Sequence, residues 1–100
     1  MATISSYKFE TVAASQTAQV LGATGAIGDR LKKIIVTATT AATATVALLD
    51  GATSVSLVPA NTTIGVYTID FGEQGIVSVE GAWKLTTGAG CNLIAVGDFT

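Results

Sequence analysis

Hydrophobic positions along this chain alternate with polar ones, and the alternation is clearest between Thr43 and Phe71, TATVALLDGATSVSLVPANTTIGVYTIDF. In Thr43–Leu49, Ala44, Val46 and Leu48 point one way and Thr45, Ala47 and Leu49 the other. Asp50-Gly51 follows, a pair suited to a tight turn because Gly tolerates positive φ and Asp bonds its own backbone. Ser54–Val58 alternates again until Pro59-Ala60-Asn61 breaks it. Val66–Phe71 sets Tyr67, Ile69 and Phe71 on one face against Val66, Thr68 and Asp70. A period of two in three successive runs is the signature of half-buried antiparallel strands.

The same pattern extends to both sides. Ile4–Val12 predicts a first strand, or an N-terminal arm ordered on a neighbour. Ala13–Gln19 reads as a linker. Arg30–Thr37, centred on Ile34-Ile35-Val36, predicts a β-branched strand, and Thr37–Ala42 a loop. Gly72–Gly75 predicts a turn and Ile76–Glu80 a short strand. Ala82–Thr87 turns Trp83 and Leu85 inward and Lys84 outward. Gly88-Ala89-Gly90 predicts a tight loop before a last strand, Cys91–Val96. About eight short strands at roughly 8–12-residue spacing predict an all-β fold, an antiparallel β-sandwich or jelly roll. Residues 1–26 form the arm or first strand with a Gly-rich turn, and 27–100 the sandwich domain.

Composition sharpens this. A chain of 100 residues with 49% hydrophobic and only 12% charged residues is one small folded domain. Large core side chains are few, with three Phe, two Tyr and one Trp against 16 Thr and 16 Ala. A domain of small side chains and sparse charge completes its burial against copies of itself or a partner, so a homo-oligomer is expected. The net charge is −2, and the only cationic cluster is Arg30, Lys32 and Lys33, so no nucleic-acid partner is expected. The beginning, Met1–Ser5, has no basic segment followed by an apolar one, and no run is long enough to span a bilayer as a helix, so neither a signal peptide nor a membrane partner is expected. Cys91 is the single cysteine and falls in an apolar run, which makes it a small core residue.

Catalytic chemistry has little to draw on. There is no His, so a Ser-His-Asp triad is impossible and the commonest base and metal ligand are missing. No catalytic, cofactor or metal residue is assigned, and no enzyme activity is expected. Asp29, Asp50, Asp70 and Asp98 sit at predicted turns, where carboxylates cap backbone amides. One stretch argues otherwise. Val20–Gly28, VLGATGAIG, resembles the glycine-rich loop of short-chain dehydrogenases and nucleotide-sugar epimerases, with Gly22, Gly25 and Gly28 placed to approach a pyrophosphate and Asp50 where the ribose-binding acid would lie. Against it, the required helix would contain Ile34-Ile35-Val36-Thr37, whose β-branched residues lose χ1 freedom in a helix, and neither Tyr7 nor Tyr67 has a Lys four residues on. A dinucleotide-binding protein through Gly22–Gly28 stays the second alternative.

The run Leu31–Phe99 resembles the small all-β structural proteins of tailed bacteriophages. The residues that carry the resemblance are Ile34-Ile35-Val36-Thr37, the LLDG of Leu48–Gly51, the GVYTIDFG of Gly65–Gly72, and Ala82-Trp83-Lys84-Leu85 with the following Gly-Ala-Gly. The resemblance implies a sandwich or jelly roll, frequent homotrimers, no cofactor and no enzyme activity. It implies a virion structural protein assembled in a host cytoplasm: a capsid decoration (cement) protein bound to the major capsid protein or another virion protein. The alternative is a tail or head-fibre module that recognises a host surface through exposed aromatics, with Trp83, Tyr67 and Tyr7 as candidates. Residues Ala2–Ala26 would be the tether to a shell or neighbour.

Overall fold

The computed structural model describes residues 8–39, 45–59 and 63–100. All regular structure in them is β: β1 Lys8–Val12, β2 Gln19–Val20, β3 Arg30–Ala38, β4 Val46–Asp50, β5 Thr53–Val58, β6 Gly65–Asp70, β7 Ile76–Val77, β8 Trp83–Thr86 and β9 Cys91–Asp98. Ile4 to Tyr7 of the expected first strand, Thr43 and Ala44 of the expected strand Thr43–Leu49, and Ala60 and Asn61 of the predicted break lie outside the described residues. So do Thr40 to Ala42 of the expected Thr37–Ala42 loop, whose first two residues, Thr37 and Ala38, instead finish β3 because they pair both β6 and β9.

The strands form two antiparallel sheets packed face to face. One has the order β1-β9-β3-β6, with the short β7 paired to β3 on the side that β6 occupies; the other has the order β2-β8-β4-β5. With β7 set aside, the pairing is nested. The first strand pairs with the last (β1 with β9), the second with the second-last (β2 with β8), then β3 with β6 and β4 with β5, all antiparallel. A long two-stranded ribbon rolled upon itself gives this order, and the result is a jelly roll. Rolling sends most successive strands to opposite sheets, and the hairpin β4–β5 at the ribbon's tip stays within one sheet. Its turn is Gly51-Ala52, with Gly51 at φ 58°, and Asp50 pairs Thr53 across it.

Alternation decides which side chains enter the core. In β3 the inward positions are Leu31, Ile34, Val36 and Ala38, and in β9 Cys91, Leu93 and Ala95; all are buried. The other sheet contributes Val46, Leu48, Val58, Trp83 and Leu85. A shift of register between Leu31 and Lys33 opposite β9 lets both Leu31 and Ile34 point inward despite their odd spacing. Val12, Leu21 and Phe99 close the ends of the core.

Two elements differ from the sequence expectation. Gln19–Val20 is a strand, β2, where a linker and glycine-rich turn are expected. It is held at its ends by Thr86 and Trp83: the Ala18 amide donates to Thr86 Oγ1 at 2.9 Å and the Leu21 amide to the Trp83 carbonyl at 2.9 Å. The expected strand Ile76–Glu80 stops at Val77, because Ser78 bonds the turn before β3 and not a strand. Its amide donates to the Asp29 carbonyl at 3.0 Å and its hydroxyl to the Ala26 carbonyl at 3.1 Å.

Candidate interaction surface

The glycine-rich stretch is a closed turn and not a nucleotide loop. No helix follows it; the chain runs directly into β3. The backbone amides that would face a pyrophosphate are already committed. Gly22 donates to Glu10 Oε1 at 2.7 Å, Gly25 to the Thr100 carbonyl at 3.2 Å, and Gly28 to Ser78 Oγ at 3.0 Å. A Cβ on Gly25 would collide with Ala82 and Val20, so the glycine here serves close chain packing. Asp50 ends β4 at the β4–β5 hairpin, where its carboxylate accepts the Val79, Glu80 and Gly81 amides. The structural basis for the dinucleotide alternative is therefore removed.

Three of the four aspartates expected at turns bind backbone amides, in separate places; the fourth, Asp98, is instead the last residue of β9, opposite Arg30. Asp29 is buried; its Oδ2 accepts the Ala26 and Thr100 amides at 3.0 and 3.1 Å, and the Thr100 hydroxyl donates to Oδ1 at 3.0 Å. Asp70 Oδ1 accepts the Gly72 amide at 2.9 Å. Asp50 accepts three amides, from Val79 at 3.0 Å, Glu80 at 3.1 Å and Gly81 at 3.2 Å. Partial burial at the hairpin works against its charged form, but these three donors outweigh it and hold the carboxyl below the usual aspartate value. Among the described residues no three acidic or Cys side chains gather as a metal site.

Trp83 does not form an exposed aromatic platform. It is 5% exposed, and its indole N–H donates to the Asp29 carbonyl at 2.8 Å. Tyr67 is half-buried, and its hydroxyl donates to the Thr63 carbonyl at 2.6 Å. Neither ring stands fully out from the surface as a platform.

What the fold does leave exposed is the outer face of the five-stranded sheet. Alternation sends Phe9 and Thr11 of β1 outward, Ile94 and Val96 of β9, Ile35 and Thr37 of β3, and Val66 and Thr68 of β6. Register makes these neighbours: Phe9 lies opposite Val96, Thr11 opposite Ile94, Ile94 opposite Ile35, and Thr37 opposite Val66. The apolar members run diagonally across four strands. Phe9 is 69% exposed, Val66 65% and Ile94 38%. Charge is confined to one end of the face, where Lys33 lies opposite Asp70 and Arg30 opposite Asp98. Two of the three cations in the Arg30–Lys33 cluster, Arg30 and Lys33, thereby face acids, and Arg30 also donates to the Gln74 carbonyl at 2.6 Å. The face is an apolar, Thr-studded field with a balanced charged margin. The alternation that predicted the strands contained this signal, since β3 and β6 carry β-branched residues on both faces and β9 carries Ile94 and Val96 on its outer one; only the strand order makes a single patch of them.

No helix among the described residues is long and apolar enough to cross a membrane. Comparisons with protein-family models, curated proteins and solved structures return no match to this chain. The structure defines a small jelly-roll domain with an apolar outer sheet face.

Proposed function

We propose that this chain is a structural protein of a virus particle, a capsid decoration (cement) protein that associates with copies of itself as a homotrimer and adds to the assembled shell. The observation that carries the reading is the apolar outer face of Phe9, Ile35, Val66, Ile94 and Val96. A contiguous apolar patch on a small domain marks an interaction surface. Its charged margin is neutral, so a second copy meets it without like-charge repulsion. The jelly roll supports the reading at the level of architecture, since viral capsid domains share it, as do lectins. The resemblance of Leu31–Phe99 to phage structural proteins points the same way.

The mechanism is mass action. A protein that binds the assembled shell of major capsid protein, and not its separate subunits, stabilises the shell by the free energy of that binding. Such a protein is assembled in the host cytoplasm and ends in the virion. The edge strands β1, β6, β2 and β5 are each six residues or shorter, and short edges resist stray pairing, which suits a particle part that persists without repair.

Light scattering on the purified chain tests the first half. A solution mass near three times 10.0 kDa supports the trimer. Cosedimentation with empty shells tests the second half. A chain that stays monomeric and remains in the supernatant with every shell offered overturns the proposal.

A further inference from the structure

Away from the outer face, the two sheets part along one edge. The wall on one side is Leu48 of β4 with Val55 and Leu57 of β5. The opposite wall is Phe71 and Ile76, which straddle the gap where β6 ends and β7 begins, and Trp83 forms the floor. The space between them is about 300 Å³. It exists because the five-stranded sheet builds this edge from two strands in series. β6 pairs β3 from Lys33 to Ala38 and β7 pairs Arg30 and Leu31, and the chain between them loops out through Gly72–Gly75. From that side only Phe71 and Ile76, at the two ends of the gap, reach the cleft, and β5 faces them with Val55 and Leu57.

We infer that this cleft is a binding site for a small neutral apolar molecule, of the size of a fused two-ring aromatic. Six of its eight lining residues are apolar. The polar two, Asp50 and Thr53, stand at the mouth with their capacity committed: Asp50 accepts three backbone amides, and the Thr53 hydroxyl donates to Glu80 Oε1 at 2.7 Å. The cleft is open to solvent on one side, so water in it keeps water neighbours but gains few protein partners, and an enclosed apolar cavity of about 150 Å³ takes up benzene readily. Twice that volume admits a second ring. The cleft also falls at the lower end of the size range of small-molecule pockets. Asp50 and Glu80 set the sign of the mouth, and two carboxylates there disfavour an anionic ligand. Chemistry and charge together select a neutral aromatic over an acid of the same shape.

The test is a nuclear magnetic resonance titration of the full chain with naphthalene, set beside naphthalene-2-sulfonate. Naphthalene is expected to shift the Trp83 indole N–H and the methyl groups of Leu48, Val55, Leu57 and Ile76, through ring currents confined to the cleft. The sulfonate is expected to bind at least about tenfold more weakly, a difference of about 1.4 kcal/mol. Val55 is 53% exposed at the rim, so Val55→Glu and Val55→Trp keep the fold; the first charges the cleft and the second fills it, and both are expected to abolish the shifts. Shifts centred on Ile35 and Ile94 overturn the inference, as does equal binding of the sulfonate or binding that survives both variants. Concentration-dependent shifts of the same cleft resonances without naphthalene also overturn it, because they place a second copy there.

Discussion

The carbonyl oxygen of Asp29 accepts the indole N–H of Trp83 at 2.8 Å, across 54 residues of sequence and from the segment before β3 to β8. The same oxygen accepts the Ser78 amide, and the Asp29 carboxylate holds the Ala26 amide and Thr100. One residue thus ties the glycine-rich turn, the end of β7, the floor of the cleft and the segment after β9.

Replacing Trp83 separates its ring from its N–H. Trp83→Phe keeps most of the apolar contact and removes the bond to Asp29, whose carbonyl retains Ser78; the expected cost is about 1 kcal/mol. Trp83→Ala leaves a cavity beneath the cleft and costs about 3–5 kcal/mol. Urea unfolding measures both. Equal losses for the two variants would mean that the ring packs poorly.

Asp29→Ala leaves the Ala26 and Thr100 amides without their acceptor in a buried setting. A loss of about 2–4 kcal/mol is expected. Amide hydrogen exchange should rise first at residues 24–29 and at Thr100. Loss of protection across all strands at once, with no local component, would contradict this local role.

Asp50 makes stability depend on pH. Its folded carboxyl titrates below its unfolded value of about 3.9, so its contribution is fully present above the unfolded value and is lost as pH falls through the folded one. The stability difference between the native chain and Asp50→Asn should be constant above about pH 5 and shrink steadily below about pH 4. A difference that grows as pH falls would reverse the sign of the argument.

On the outer face, Ile35→Glu combined with Ile94→Glu places two charges at directly opposed positions. Neither side chain is in the buried core, so stability of the separated chain should change by no more than about 1 kcal/mol for the pair. The solution mass should fall to that of one chain. A double variant that keeps the mass of an oligomer would put the contact elsewhere.

Much of this was legible in the alternation. Val46 and Leu48 against Ala47, Tyr67 and Ile69 against Thr68, and Trp83 and Leu85 against Lys84 point as a period of two requires. The Asp50-Gly51 turn was legible too, because its chemistry is local. β2 was not, because two residues between Ala18 and Leu21 carry no periodicity and become a strand only where β8 offers a partner. The early end of β7 was hidden for the same reason: nothing in Val77-Ser78-Val79 announces that Ser78 bonds the turn at 26–29. The glycine spacing of Gly22–Gly28 misled in the opposite direction, since glycines that admit a phosphate also admit the close approach of another segment of chain.

By itself, then, the sequence determined the class of structure and the inward face of most strands, because side-chain alternation and turn chemistry act over a few residues. Strand order was decided by tertiary structure alone, since nested pairing joins residues as far apart as Phe9 and Val96 through backbone hydrogen bonds that carry no side-chain signature. With the order came everything a surface needs: the joining of Phe9, Ile35, Val66 and Ile94 into one face, and the parting of β5 from β6 and β7 into one cleft.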